Sequence, residues 1–262
     1  MYDIHHHLLY GLDDGPATLE ASLAQAELAI ADGITHLVCT PHASDRFSYK
    51  PEENAAKLAE LQSRLGTRIK LGMGCDFHLS YENIEDAVAH PSKYSINGGQ
   101  YLLIEFPDFG IPTRISEAMY ELRLAGMTLI ITHPERNQTL RTHPEKLAEW
   151  LREGHLIQVT AGALSGRFGR TAGKFAHELL AKHWVHFLAT DAHDTETRPP
   201  KLREAYDAVT LDYGEEYARL LCISNPKAAF DSTEMPEQVL ATGLFEEDEP
   251  EKKGFFSRLL RR

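Results

Sequence analysis

Cysteine is scarce in this 262-residue sequence, which has three, Cys39, Cys75 and Cys222. An odd number of widely spaced cysteines in apolar surroundings gives no disulfide framework and suits free thiols in a reducing compartment. Cationic residues are outnumbered: 27 lysines and arginines stand against 39 aspartates and glutamates, a formal net charge of -12. That balance argues against nucleic acid as the main partner, though it leaves room for a small basic pocket. No apolar run reaches the length of a membrane-spanning helix. The first residues read as a core strand and not as a signal peptide, so the chain is expected in the cytoplasm.

What the sequence has is alternation. Strand-like segments are "YDIHHH", "THLVCT" (35–40), "IKLGMGC" (69–75), "YLLIEF" (101–106), "TLIITH" (128–133), "LIQVT" (156–160) and "VHFLAT" (185–190). Helical patterns fall between them at 18–32, 51–65, 113–125, 144–153 and 170–183, with another over 201–222. The first has Thr18 as N-cap, an apolar stripe of Leu19, Leu23, Ala26 and Ile30, and Gly33 just past its end. Strands alternating with helices of this length build βα units and a parallel sheet, here a barrel or a doubly wound sheet. The pattern fades after about residue 232, so one domain is expected over 1–232 and a polar, flexible tail over 233–262.

The opening "MYDIHHHLLYGLDDGP" sets three histidines inside a strand-and-turn context, not in a polar linker of the kind that carries a purification tag. On a strand, His5 and His7 share one face and His6 takes the other. A two-toothed metal grip and a hydrogen-bonded core pair are both open on that fact alone. The other strands decide. Their C-terminal ends bring His5 and His7 with Asp14 in the following loop, then His42, Asp76, Glu105 in "LIEFP", His133 in "THPER", and Asp191 with His193 in "ATDAH". The sixth, ending in "VTAG", offers no strong ligand. A parallel barrel carries its active site at that rim, and six strands of seven delivering His, Asp or Glu there is more than coincidence gives. Mixed imidazole and carboxylate donors suit manganese, iron or zinc and not a calcium cage. Nine ligands exceed the needs of one ion, so bridging carboxylates would hold two or three, with Glu105 the natural bridge. Such a cluster lowers the pKa of a bound water and clamps phosphoryl oxygens.

"DIHHHLLYGLDDGP", "TPH", "IEFP", "THPER" and "DAHDTETRPP" together resemble the polymerase-and-histidinol-phosphatase (PHP) superfamily, and within it the bacterial protein-tyrosine phosphatases of the CpsB/YwqE type, over residues 1 to about 230. The resemblance implies an α/β fold, a distorted (β/α)7 barrel, with a two- or three-ion site, commonly manganese. It implies phosphotyrosine-protein phosphatase activity in capsule and exopolysaccharide regulation, with the C-terminal tail of a membrane-bound bacterial tyrosine kinase as substrate. The implied metal ligands are His5, His7, Asp14, His42, Asp76, Glu105, His133, Asp191 and His193. At Asp76 this chain has "GCD" where the family usually has Glu, one methylene longer, which puts the reach of that ligand in question. "LLYG" replaces the more usual "ILPG". Arg136 and Arg198 match positions that hold the substrate phosphate, and a guanidinium fork suits that task. His78 is taken as an ordinary loop histidine, and His36, His143, His155, His177, His183 and His186 as structural or solvated.

Two other functions compete: a small-molecule phosphatase of the histidinol-phosphatase type, and a catalytically inactive barrel serving as a metal-bound interaction module. The near-complete ligand set speaks against the second. The tail "GFFSRLLRR", with Phe255, Phe256, Leu259 and Leu260 beside three arginines, raises a weak contact with an anionic membrane surface, although one short segment binds only marginally.

Thiol phosphatases need C-x5-R, and six residues beyond the three cysteines lie Asp45, Tyr81 and Ala228. A triple Cys→Ser protein is therefore expected to retain turnover of p-nitrophenyl phosphate, and a chelator to abolish it. Loss of activity in the triple variant would exclude a metal mechanism.

Overall fold

Every strand pairing in the computed structural model is parallel, as expected of a chain that inserts a helix between most successive strands. The structure describes residues 1–107, 110–111 and 114–244. The strands are β1 (Tyr2–His6), β2 (His36–Cys39), β3 (His42–Ala43), β4 (Lys70–Met73), β5 (Asp76–His78), β6 (Tyr101–Glu105), β7 (Thr128–Thr132), β8 (Leu156–Thr160) and β9 (Phe187–Ala189). They form two sheets, ordered β1-β2-β4 and β3-β5-β6-β7-β8-β9. The second and third expected strands are β2 and β4, and each is followed after a break by a short strand that was not expected, β3 and β5, which splits the ring into these sheets. At the first break Pro41 has no N–H to give a ladder. At the second, Gly74 sits where a Cβ would meet Val38 Cγ1 at 2.9 Å, and its N–H bonds the Cys39 carbonyl at 2.8 Å. The ring closes through a parallel bridge from His6 to Ala192 and an Asp191 N–H that bonds the His5 carbonyl at 2.8 Å. Counted by position, this is the distorted seven-position barrel.

Strands buried on both faces read as continuous apolar runs, and the two faces separate cleanly. Leu102, Ile104, Leu129, Ile131, Ile157 and Val159 belong to the core under the surrounding helices. The alternate residues Leu103, Ile130, Leu156, Phe187 and Ala189 belong to a second, smaller core that fills the barrel with Ile4, Val38, Ile96, Ala229 and Phe230. Following that inner row two residues further along the chain leads from Leu103 to Glu105, from Leu156 to Gln158 and from Ala189 to Asp191. The lining thus changes from hydrocarbon to ligand toward the C-terminal ends.

The expected helices are present as Leu19–Ala31, Pro51–Leu65, Ile115–Leu124, Glu145–Arg152 and Gly169–Ala181. Thr18 caps the first, its hydroxyl accepting from the Ala21 N–H at 3.3 Å. The expected helix over 201–222 is interrupted at Gly214, whose φ of 94° ends Arg203–Tyr213. Among the helices not anticipated are Tyr81–Ala89 and Asn225–Asp231. The latter delivers Ala229 and Phe230 to the inner core. The stretch 233–244, expected to begin a flexible tail, has no regular element but is tied down: Tyr101 Oη donates to the Thr233 carbonyl at 2.6 Å and Trp184 Nε1 to that of Thr242 at 2.8 Å. The "GFFSRLLRR" segment lies outside the described residues. No described helix is long and apolar enough to cross a membrane.

Gly72 in β4 marks a close approach. A Cβ there would lie 2.6 Å from Asn97 Oδ1 and 2.8 Å from the Phe230 ring, and Asn97 is itself engaged, its Oδ1 accepting from the Met73 N–H and its Nδ2 donating to the Phe230 carbonyl. Gly72→Ala is expected to lower the unfolding free energy by about 1–3 kcal/mol, the usual cost of overpacking, as a reduced urea midpoint at unchanged slope.

Candidate metal centre

The nine side chains singled out in the sequence come together at the C-terminal rim. Their nitrogen and oxygen atoms form four groups, each within 4.8 Å: His7, Asp14, His42 and His193; His5, His7 and Asp76; His5, His133 and Asp191; and His42, Asp76 and Glu105. Neighbouring groups share His5, His7, His42 or Asp76, so the arrangement is one continuous cluster. Strand geometry places most of these residues, but the backbone bends out of its way for two. His133 has φ 35° and Asp191 φ 50°, in the left-handed region that non-glycine residues rarely occupy. Both follow the end of a strand, β7 and β9, and the twist turns each side chain back over the barrel mouth.

Asp76 is the hub. Its Oδ2 lies 3.3 Å from His5 Nε2, 3.3 Å from His42 Nδ1 and 4.0 Å from His7 Nε2. The shorter side chain thus lies within 3.3 Å of both neighbours, from the first residue of β5. Glu105, expected as the bridge, lies 3.4 Å from His42 and 3.5 Å from His133, and Asp76 is a carboxylate common to two groups. Asp14, the most exposed of the set, links His42 Nε2 at 3.4 Å and His193 Nε2 at 3.3 Å.

Three further contacts fix the imidazoles. His5 Nδ1 pairs with Gln158 Oε1 at 2.9 Å, His7 Nδ1 with Asp13 Oδ2 at 2.8 Å, and His193 Nδ1 with the Asp191 carbonyl at 3.0 Å. Each leaves Nε2 free to face the cluster, the arrangement that sets tautomer and ring orientation in metal sites. Sequence reading missed Gln158 and Asp13. A lone amide in the apolar strand "LIQVT", and the first of two adjacent aspartates in "LDDGP", were the available signals. Gly15 completes that loop, since a Cβ there would stand 2.7 Å from the His7 carbonyl. His6 points away, as expected, and is fully buried. His78 is not in a loop. It ends β5 and lines the cleft beside Glu105.

The electrostatics are those of a site built for cations. Burial opposes charge on His5, yet the carboxylates of Asp191 and Asp76 lift its pKa to about 9. Burial likewise works against ionised Asp191, but His5, Arg136 and Arg198 hold it well below the usual carboxylate range. Asp13, half of the His7 pair, is held at about 2 against the opposing effect of burial. Several buried donor-capable atoms meanwhile have no hydrogen-bond partner: both oxygens of Asp76, Nδ1 of His42 and Nε2 of His133. Unpaired buried polar atoms are costly, and these all face the cluster. A group of divalent ions fits them. No thiolate joins in, as burial raises the pKa of Cys39 and Cys75.

Two guanidinium groups close one side, Arg136 Nη1 and Arg198 Nη2 both donating to Asp191 Oδ2. The Phe168 ring lies 5.1 Å from the guanidinium carbon of Arg136 and 6.0 Å from that of Arg198. On the other side a cleft of about 330 Å³ opens between Phe47, His78, Phe106 and Pro107. Phe47 stacks on His42 with ring centroids 5.7 Å apart.

Fold and cluster together define a PHP-type barrel. The family model described as "Capsular polysaccharide synthesis, CpsB/CapC" matches residues 1–231, and the chain belongs to that family. It is 33% identical over 226 residues to the tyrosine-protein phosphatase YwqE of Bacillus subtilis (strain 168), covering 84% of this chain and 88% of that one. It is 33% identical over 245 residues to the putative tyrosine-protein phosphatase CapC of Staphylococcus aureus, covering 91% and 94%. A solved structure from work on YwqE of Bacillus subtilis and CpsB of Streptococcus pneumoniae, described as "unique metal-dependent tyrosine phosphatases", matches with a TM-score of 0.84 at 29% identity, covering 92% of this chain and 100% of that chain.

Because Asp76 serves two groups, Asp76→Ala is expected to lose at least one ion per chain by elemental analysis and to lose turnover with it. Unchanged metal content would remove Asp76 from the ligand set.

Proposed function

We propose that this chain is a metal-dependent phosphotyrosine-protein phosphatase, its domain spanning 1–232, which works in the cytoplasm on the C-terminal tail of a membrane-bound bacterial tyrosine kinase and so regulates capsule or exopolysaccharide synthesis. The observation that carries the reading is the convergence of Arg136 and Arg198 on Asp191 at the edge of the nine-residue cluster. Membership of the CpsB/CapC family supports it. We assign the ligand role to His5, His7, Asp14, His42, Asp76, Glu105, His133, Asp191 and His193, and take two or three manganese ions as the bound metal, with iron and zinc as alternatives. The chemistry that such ions supply is an activated water at neutral pH and neutralisation of phosphoryl oxygens.

The chain's own residues do the rest. Arg136 and Arg198 bind and orient the phosphoryl group, replacing part of their contact with Asp191 by contact with its oxygens and taking up charge as it develops. Gln158, Asp13 and the Asp191 carbonyl keep the imidazoles of His5, His7 and His193 aimed inward. Phe47, Phe106 and Pro107 offer an apolar wall of a size suited to a phenyl ring. A phenolate, with a pKa near 10, also leaves with less protonation help than an alkoxide, which favours aryl over alkyl phosphates. The C-terminal tail, through "GFFSRLLRR", in this proposal makes at most a weak contact at the inner face of the membrane.

Arg136→Ala is expected to lower kcat/KM by about 2–4 kcal/mol of transition-state stabilisation with metal content intact, since Arg198 still neutralises Asp191. Arg198→Ala should act more mildly, with KM carrying more of the loss. Efficient hydrolysis of histidinol phosphate or phosphoserine peptides, with phosphotyrosine peptides ignored, would overturn the proposal.

A further inference from the structure

The two sides of the rim differ in charge. The cleft at Phe47 carries Asp14, Asp45 and Glu105 among its walls, against one arginine, Arg46. On the opposite side, beyond Arg136, lies a second cleft of about 400 Å³ lined by Arg136, Arg141, Phe168, Arg170 and Thr171, with small residues completing it. Among the described residues no carboxylate lines it, in a chain whose net charge is -12. Its arginines are not equivalent. Arg141 is committed to the loop that carries Arg136, donating to the carbonyls of Glu135 at 2.9 Å and Arg136 at 2.6 Å. Arg170 is exposed, without a charged partner among the described residues. Phe168 is the shared wall, with its ring against both Arg136 and Arg198. An anion in this cleft would therefore sit one side chain away from a phosphoryl group held by Arg136.

We propose that this cleft is a subsite for an acidic side chain flanking the scissile phosphotyrosine, so that the enzyme selects phosphotyrosines in acidic sequence and the leaving ring lies toward Phe47. The inference rests on the function proposed above. A planar guanidinium recognises a carboxylate through paired hydrogen bonds, and an isolated positive cleft in a negatively charged protein raises the local concentration of an anionic ligand. A flat anionic membrane surface suits it less well, because the arginines line a concavity whose inner end is the site itself.

The test compares phosphotyrosine peptides with glutamate, glutamine or lysine at the two positions on either side, using the manganese-loaded protein. Glutamate on one side should raise kcat/KM over glutamine by roughly 1.5- to fivefold, the range for partly exposed ion pairs, mostly through KM. The preference should shrink in 0.5 M salt, where screening acts within a few ångströms. Arg170→Glu should abolish or invert the glutamate-to-glutamine ratio. Thr171→Glu, which adds a carboxylate and removes no arginine, should do likewise. Metal content and circular dichroism establish that both variants are folded. An equal ratio in the wild-type protein, or a ratio untouched by both variants, overturns the subsite while leaving the phosphatase reading standing. If Arg170→Glu reduces co-sedimentation with phosphatidylserine vesicles and leaves the ratio unchanged, the cleft is a membrane contact and the proposal fails. If p-nitrophenyl phosphate is cleaved and no phosphotyrosine peptide is, both readings fall together.

Discussion

Asp191 Oδ1 lies 3.3 Å from His5 Nε2 and 3.5 Å from His7 Nε2, and its other oxygen receives Arg136 and Arg198, all with only 1% of the residue exposed. Removing a carboxylate from water costs several kcal/mol unless partners replace the lost solvation. Here the partners are the functional groups themselves. The same ion thus holds the imidazole side of the cluster to the guanidinium side, and its left-handed backbone is tolerated because both flanks are fixed. The N–H of Asp191 also bonds the His5 carbonyl, so its backbone joins the first strand to the last. Charge pairing, side-chain placement and ring closure meet at one residue.

Below that residue the barrel is ordinary hydrocarbon. Leu103, Ile130, Phe187 and their neighbours are buried, and each such side chain contributes roughly 1.5–3 kcal/mol by leaving water. Above it the inward row is polar and partly unpaired. The two-residue period of a strand keeps both layers on one inward face, and the change of residue type along it makes the division: the apolar lower layer provides the stability that lets the upper layer keep unpaired polar atoms. The two arginine-bearing loops extend the same logic sideways, since Phe168 gives both guanidinium groups an apolar surface to lie on.

Much of this was legible in the sequence, for identifiable reasons. The strands could be read because buried parallel strands are uninterrupted apolar runs, and the ligands because His, Asp and Glu at the ends of such runs are conspicuous. The breaks between β2 and β3 and between β4 and β5 were not, since Pro41 and Gly74 signal a disturbance without saying that pairing partners change there. Gln158 was passed over because an amide is no strong ligand; what it does is fix the His5 imidazole. The bridging role given to Glu105 came from strand order, which says nothing of the change of sheet between β4 and β5 at which Asp76 stands. The helix Asn225–Asp231 follows no strand, and its role in filling the barrel comes from tertiary contact alone.

The closing bridge between His6 and Ala192 sets an order of events during synthesis. A ribosome releases the chain from its N-terminus, and His5, His7, Asp14, His42 and Asp76 emerge while much of the barrel is still unmade. Asp191 and His193 are the last of the nine to be made. Contacts between distant parts of a chain form late because the intervening segment must first be ordered. All nine side chains of the cluster are therefore present only once β9 and the residues that follow it are in place, and a chain that stops short of them lacks the carboxylate on which the imidazole and guanidinium sides meet.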